Sequence, residues 1–300
     1  MKKKIIISFI VTILTATTAL FAFLPINFVN KDGETWMSKL SDDYLITQLS
    51  IPGTHDSGAM HSLADVAGKC QDLSIAKQLK IGVRFFDIRL QIVDDKLKVV
   101  HSFVDQALSF NSVLKDFNEF IDKNPSEFLI ISIKEDADSN DSTKDFSSAV
   151  IESLNNYSNF CFDNELPQKL GDARGKIYLL SRFSTDKGIQ AYSGWRDSTT
   201  FSINSLYIQD NYCINDLEVK KNDILATIAN LENNSNLLHL NFTSCYLENA
   251  FPPTYAGSSA KVINPWLENY LKDNDKPVGI LICDFITQDL SKLIYGRNKI

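Results

Sequence analysis

Histidine is scarce in this chain, with four in 300 residues: His55, His61, His101 and His239. Two of them close short apolar runs. Ile51-Pro52-Gly53-Thr54 leads into His55-Asp56-Ser57, and Val99-Val100 leads into His101. Between them, Gly82-Val83-Arg84-Phe85-Phe86-Asp87-Ile88-Arg89 ends on an arginine. Two imidazoles, a guanidinium and neighbouring aspartates make a set suited to acid–base chemistry on a phosphodiester without a metal. The imidazoles move protons near neutral pH, and the guanidinium meets phosphoryl oxygens in two-pronged fashion.

Such groups need a frame that brings them together. Residues 45–51, 83–90, 97–100, 128–133, 177–180, 206–208, 237–242 and 278–282 are short, mostly uninterrupted apolar runs. They read as parallel strands buried on both faces. About eight of them in one unbroken domain of this length point to an α/β fold, a (β/α)8 TIM barrel. Amphipathic stretches supply crossover helices. Residues 110–122 place Val113, Leu114, Phe117, Phe120 and Ile121 on one face before Asn124-Pro125 stops them. Residues 146–154 and 217–231 behave similarly, and Pro265 is placed to open a helix running to Leu271. The barrel is expected to be distorted. Val93-Asp94-Asp95-Lys96 reads as a turn rather than a helix, and residues 184–204 lack helical periodicity.

A barrel of this kind gathers its chemistry at the C-terminal ends of its strands. Those ends carry His55-Asp56, Asp87 and Arg89, His101, Lys134-Glu135, Arg182, Asp210 with Tyr212, and Asp284. Loops are polar in any case, but that alone predicts a mixture of Ser, Asn, Gly and Lys rather than so many ionisable groups. His239, inside Leu237-Leu238-His239-Leu240-Asn241-Phe242, reads instead as a hydrogen-bonded core histidine. His61 receives no role.

Residues 1–26 read as a secretory signal peptide and short N-terminal segment, with residues 27–300 the barrel domain. Three lysines precede an apolar stretch from residue 5 to about 22, which ends in small residues (Ala16, Ala19, Ala22) before Pro25. The alternative is an uncleaved anchor, since the stretch approaches the ~20 residues that span a bilayer. The net charge of −7 becomes still more negative once Lys2, Lys3 and Lys4 are removed. An acidic surface argues against nucleic acid as a partner and against long-range attraction to anionic membranes. The five cysteines show no C-x-x-C spacing and do not read as a zinc site. Their odd number leaves at least one thiol unpaired. Cys283, within Gly279-Ile280-Leu281-Ile282-Cys283, reads as a small core residue of a strand.

Ser50-Ile51-Pro52-Gly53-Thr54-His55-Asp56-Ser57-Gly58, followed by Phe86-Asp87-Ile88-Arg89 and by His101, resembles the bacterial phosphatidylinositol-specific phospholipases C. The likeness is to the small metal-independent kind and runs from about Trp36 onward. It implies attack of the inositol 2-hydroxyl on the adjacent phosphorus, giving diacylglycerol and inositol 1,2-cyclic phosphate, with no cofactor. By the same resemblance His55 is the base and Asp284 its orienting carboxylate. His101 is the acid supported by Asp56, and Arg89, held by Asp87, grips the phosphate. Lys134, Arg182, Asp210 and Tyr212 correspond to inositol-binding positions, although Lys134 and Arg182 also suit ordinary salt bridges on the rim. The implied partner is phosphatidylinositol in a membrane, with glycosylphosphatidylinositol anchors a further candidate. The implied enzyme is a secreted monomer that touches the membrane surface transiently.

Two rival readings remain at this stage. A glycerophosphodiester phosphodiesterase needs a carboxylate cluster around a metal, and a guanidinium at Arg89 takes the place of that cation. A catalytically inactive barrel that binds inositol lipids has no need of His55, His101, Arg89 and Asp284 together. The chain departs from family members that carry a rim tryptophan after the first motif, because Trp36, Trp195 and Trp266 fall elsewhere. Phe251-Pro252-Pro253-Thr254-Tyr255 reads either as an apolar loop facing the bilayer or as a loop packed onto the barrel.

Overall fold

A computed structural model describes residues 31–61, 68–102, 104–249 and 255–299. Its strands are β1 (Ile51–Thr54), β2 (Phe85–Val93), β3 (Lys96–His101), β4 (Val104–Ser109), β5 (Leu129–Glu135), β6 (Phe160–Cys161) and β7 (Ile177–Arg182). They continue with β8 (Ile189–Gln190), β9 (Thr200–Ile203), β10 (Leu206–Gln209), β11 (Cys213–Ile214), β12 (Leu238–Phe242), β13 (Tyr246–Leu247) and β14 (Ile280–Cys283). The main sheet runs β6-β7-β5-β2-β1-β14-β12-β10-β9. From β7 to β10 every neighbouring pair in that order is parallel, so seven parallel strands curl into a distorted α/β barrel.

The expected eighth strand, residues 97–100, is not part of this parallel set. It lies in β3, an antiparallel arm folded back on β2. The reason is the connection. Four residues cannot make a parallel crossover, which needs a dozen or so. Asp94 (φ 50°) and Asp95 (φ 58°) are both left-handed, as a two-residue hairpin turn of matching twist requires. The barrel is left with a seam between β7 with its short neighbour β8 and β10 with its antiparallel neighbour β9. Across it, Asn204 Nδ2 donates to the Gln190 carbonyl at 2.9 Å. The aperiodic residues 184–204 lie at this seam and form no helix.

The helices Phe110–Lys123, Phe146–Leu154 and Leu217–Asn233 stand where the apolar spacing put them. Pro265 does not open a helix. It sits inside Ala256–Asp273, whose N-terminus is set by reciprocal capping between Tyr255 and Ser258. Packing overrides the local preference there: Ile263, Leu267 and Leu271 are buried, and Asn264 Nδ2 donates to the Asp284 carbonyl at 2.9 Å. The first apolar run also starts later than expected. Ile46–Gln48 is a 3-10 turn, and the strand begins at Ile51.

Strand alternation divides the core in two. Ile51, Phe85, Ile130, Tyr178, Ile208, Leu240 and Ile280 fill the barrel interior, and Phe86, Ile88, Ile131, Ile133 and Leu179 pack outward against helices. Gly53 lies on the inner face, where a Cβ would crowd Ile282 and Phe85 at 3.1 Å. The inward positions also change character along the strands. Phe85, Ile130 and Tyr178 share one level, Asp87, Ser132 and Leu180 the next, and Arg89, Lys134 and Arg182 the next again. The interior is thus oily at the strand starts and ionic at the strand ends.

His239 is a buried core histidine. Its Nδ1 faces the Leu237 carbonyl at 3.0 Å and its Nε2 faces Asn230 Oδ1 at 3.1 Å, toward a helix rather than the barrel axis. All five cysteines are free, with Cys283 buried in β14. Among the described residues no helix is long and apolar enough to cross a membrane. The expected signal segment and Phe251 lie outside the described residues.

Below the strands, Arg84 is wholly buried and donates through Nε (3.0 Å) and Nη2 (2.8 Å) to Glu127 Oε2. Its remaining N–H groups go to the carbonyls of Leu79, Val83, Gly33 and Glu34. Removing one partner strands a buried charge. Glu127→Ala should therefore lower unfolding free energy by about 3–5 kcal/mol in urea titrations. The rim is remote from this pair, so activity measured well below the melting transition should persist.

Candidate active site

The register of β1 on β14 pairs Thr54 with Cys283, so the next residues, His55 and Asp284, leave the barrel side by side. Gln71 fastens the two strand ends. Its Nε2 donates to the carbonyls of His55 and Cys283, both at 2.8 Å. After His55 the chain turns sharply, with Asp56 at φ 43°, a left-handed conformation that Asp tolerates better than most residues. The Ser57 amide donates to the Asp87 carbonyl at 2.8 Å, which ties this turn to β2. His101 arrives by a different route from the one expected. β2 overshoots the rim, and the hairpin with Leu90 opposite Val99 returns the chain so that β3 ends on His101 back at the rim.

Arg89 occupies the centre of the site. Its Nε and Nη2 donate to Asp87 Oδ2 at 3.3 and 3.2 Å. Its Nε lies 3.5 Å from Asp56 Oδ2, and its Nη1 lies 3.6 Å from Asp136 Oδ1. Burial opposes the charge on Arg89, but these carboxylates outweigh it and raise its pKa well above normal. Asp87 is buried too, yet Arg89, Arg182 and His55 hold it far below the ordinary carboxylate range. Asp136 is likewise drawn down to about 2 despite burial, by Arg89 and Lys134. Asp56 goes the other way: burial pushes its carboxyl up, against Arg89 and the histidines.

The same guanidinium fixes the state of His55. Arg89 Nη2 lies 2.8 Å from His55 Nε2, and a guanidinium only donates, so that nitrogen is the acceptor. The imidazole proton then sits on Nδ1, which faces Asp284 Oδ1 at 2.8 Å. Burial works to lower the His55 pKa, as does Arg89. The charge and hydrogen bond of Asp284, helped by Asp56, prevail and leave it raised. On the opposite side, His101 Nε2 is 3.7 Å from Asp56 Oδ2.

These groups open onto a cleft of about 860 Å³. Lys134, Arg182, Asp210 and Tyr212 line it together with His55, Arg89, His101 and Asp284, while Asp56 and Asp87 lie buried beneath. All ten residues singled out from the sequence therefore converge. The salt-bridge alternative for Lys134 and Arg182 is also present in the geometry. Lys134 Nζ is 2.7 Å from Asp136 Oδ1, and Arg182 Nη1 is 3.3 Å from Asp87 Oδ1.

Among the other residues that line the cleft, four bear directly on these groups and were missed in the sequence. Asp136 completes the cage of Arg89 and accepts from the Ser102 amide at 2.7 Å. It stands two residues after Lys134, and strand alternation continued past Glu135 would have found it. Trp195 lies under the Arg182 guanidinium at 3.7 Å and donates from Nε1 to Asp210 Oδ2 at 3.0 Å. Asp197 accepts from the Tyr212 hydroxyl. Cys70 places its Sγ 3.8 Å from His101 Nδ1. The last three carry no local sequence signal, since each reaches the cleft from an irregular segment.

Comparison with known proteins agrees with this geometry. Residues 49–183 match the family model described as phosphatidylinositol-specific phospholipase C, X domain. The span includes His55, Asp56, Asp87, Arg89, His101, Lys134 and Arg182, but not Asp210, Tyr212 or Asp284. The chain is 30% identical over 276 residues to a 1-phosphatidylinositol phosphodiesterase of Listeria monocytogenes, covering 88% of this chain and 84% of the relative. It is 33% identical over 285 residues to the corresponding protein of Staphylococcus aureus strain Newman, covering 86% and 89%. Among solved structures, it resembles a phosphatidylinositol-specific phospholipase C from Staphylococcus aureus with TM-score 0.80 and 28% identity, over 91% of this chain and 99% of that one. The Listeria monocytogenes enzyme of the same name superposes with TM-score 0.73 at 26% identity, over 89% and 99%.

The charges around His55 favour its cation. Titration followed by imidazole NMR should place its pKa above the ordinary histidine value of about 6.5. Asp284→Asn removes the main group favouring the cation, while burial and Arg89 still oppose it. The His55 midpoint should then fall below that of the wild type, and an unchanged midpoint would refute the pairing.

Proposed function

The chain belongs to the bacterial phosphatidylinositol-specific phospholipase C family, and we propose that it cleaves phosphatidylinositol in membranes to diacylglycerol and inositol 1,2-cyclic phosphate. The observation that carries this reading is His55, held through Nδ1 by Asp284 with its Nε2 lone pair turned to the cleft beside Arg89. That is a poised base next to a phosphate-binding cation.

The nucleophile is part of the substrate, so attack is intramolecular and needs no activated water. The inositol 2-hydroxyl gives its proton to His55 Nε2 as its oxygen bonds to phosphorus. Arg89 turns from Nε2 to the phosphoryl oxygens, where developing charge gains from a buried, pre-aligned guanidinium. Asp284 stabilises the imidazolium that forms. The bond from phosphorus to the diacylglycerol oxygen breaks, and His101, backed by Asp56, supplies the proton to the departing oxygen. Lys134, Arg182 and Asp210 hydrogen-bond ring hydroxyls, and Tyr212 covers the ring. Catalysis runs without a metal, because Asp56, Asp87 and Asp136 already surround a cation that is covalently part of the chain. The basic and apolar character of residues 1–26 supports export, which places the enzyme where it meets membranes from outside.

Phosphorus NMR of the purified protein with phosphatidylinositol micelles and excess EDTA tests the reaction. A cyclic inositol phosphate resonance should appear, and His55→Ala or His101→Ala should each lower the rate by about 10²- to 10⁴-fold. Silence with EDTA but activity restored by calcium would move the protein to a metal-using phosphodiesterase. Silence under both conditions with lipid still bound would favour an inactive binding barrel.

A further inference from the structure

The cleft is lined by two free thiols that the proposed reaction does not use, Cys70 and Cys245, and only Cys70 lies beside both histidines. Cys70 is buried against the cleft wall between the two catalytic histidines. Burial and the nearby carboxylates Asp284 and Asp56 push its thiol well above the ordinary range, so it is protonated at neutral pH and takes no part in proton transfer.

Its neighbours, however, are metal-binding groups. One ligand atom from each of Asp56, Cys70 and His101 lies within 4.8 Å of the other two. Tetrahedral zinc, with bonds of about 2.3 Å to sulfur and 2.0–2.1 Å to nitrogen, sets neighbouring ligand atoms about 3.6 Å apart. Cys70 Sγ lies 3.8 Å from His101 Nδ1, close to that spacing, while Asp56 Oδ2 lies 3.7 Å from the other ring nitrogen, Nε2. An ion takes only one of the two nitrogens, so the imidazole reorients on binding until that nitrogen faces both the sulfur and the carboxylate.

A second, independent observation points to a ligand here. Asp56 is wholly buried, and neither of its carboxylate oxygens has a hydrogen-bond partner among the described residues. Buried polar atoms are normally satisfied. The competing set of His55, Cys70 and Asp284 lacks this feature, because Asp284 Oδ1 already binds His55 Nδ1.

We propose that Asp56, Cys70 and His101 form an inhibitory site for a thiophilic divalent cation such as Zn²⁺ or Cd²⁺, with water as the fourth ligand. Binding forms sulfur–metal and nitrogen–metal bonds and releases to solvent both the thiol proton and the proton that His101 would give to the leaving group, with no oxidation. The ion takes the His101 lone pair and the Asp56 carboxylate, which removes the acid of the leaving-group step. Calcium and magnesium are excluded, since they favour oxygen ligands and gain no thiolate bond to offset repulsion by Arg89 at 3.5 Å from Asp56. The site stops catalysis rather than supporting it, so EDTA protects the enzyme from this ion.

The full protein should be titrated with Cd²⁺ while the thiolate-to-cadmium charge-transfer absorption is followed, and phosphatidylinositol cleavage should be measured against Zn²⁺. Wild type should develop the band with one equivalent, and Cys70→Ala should not. Zn²⁺ should inhibit wild type, and EDTA should restore it. Cys70→Ala should keep its basal activity, with a half-inhibitory Zn²⁺ concentration raised by at least the roughly tenfold that losing even an outer partner costs a metal site. Cys70→Ser, of nearly the same size, serves if the alanine variant does not fold. A band that persists without Cys70, or equal Zn²⁺ sensitivity in both proteins, would overturn the proposal. The absorption titration decides the matter even for a protein that cleaves no lipid, so the two readings fail separately.

Discussion

Arg89 brings a full positive charge into a buried space, and the rim is arranged to keep it there. Three carboxylates contact the guanidinium and His55 Nε2 accepts from it. Burial prevails at Asp56, but the other neighbours follow that charge. Asp87 and Asp136 remain ionised despite burial. His55 is driven to the tautomer with its proton on the Asp284 side. A single cation thereby sets the tautomer of His55 and faces the cleft from its centre. Breaking such a buried cluster at any one member leaves an uncompensated charge.

Register is what lets the cluster form. Parallel neighbours share levels, so Arg89, Lys134 and Arg182 stand in one row above Asp87 and Ser132. The positive row lies above its negative support because alternation sends every second residue inward. The same logic pairs His55 with Asp284 from chain segments 229 residues apart. The hydrophobic layer below gives this arrangement a rigid floor and removes water from beneath it, which strengthens the ionic contacts above.

Much of this was legible because strands announce their ends. A buried parallel strand is a short apolar run, and the first ionisable residue past it is delivered to the rim. That reasoning found His55, Arg89, Arg182 and Asp284 without any contact information. It failed where one periodicity serves two structures. Residues 97–100 look like a barrel strand, yet only the four-residue connection before them shows that they must return antiparallel. His101 reached the right place by an unexpected path for that reason. Pro265 misled in the opposite direction, because its local rule was overridden by burial of the helix on either side. Trp195, Asp197 and Cys70 were hidden because no repeat governs the segments that carry them.

The irregular seam supplies one wall of the cleft. A regular crossover helix between β7 and β10 would pack outside the sheet and leave the rim bare. Instead residues 184–204 run without helical structure and carry Trp195 and Asp197 into the cleft. Trp195 then lies under Arg182 and holds the Asp210 carboxylate, and Asp197 holds the Tyr212 hydroxyl. The groups that face a ring are thus locked by one another before any ligand arrives. Preorganisation of this kind lowers the ordering cost of binding. The half of the cleft that carries His55, His101 and Arg89 is built from strand ends and strand-to-hairpin returns. The half that carries Trp195 and Tyr212 is built where the fold gives up its regular repeat, and the same distortion that spoils the barrel count supplies its aromatic wall.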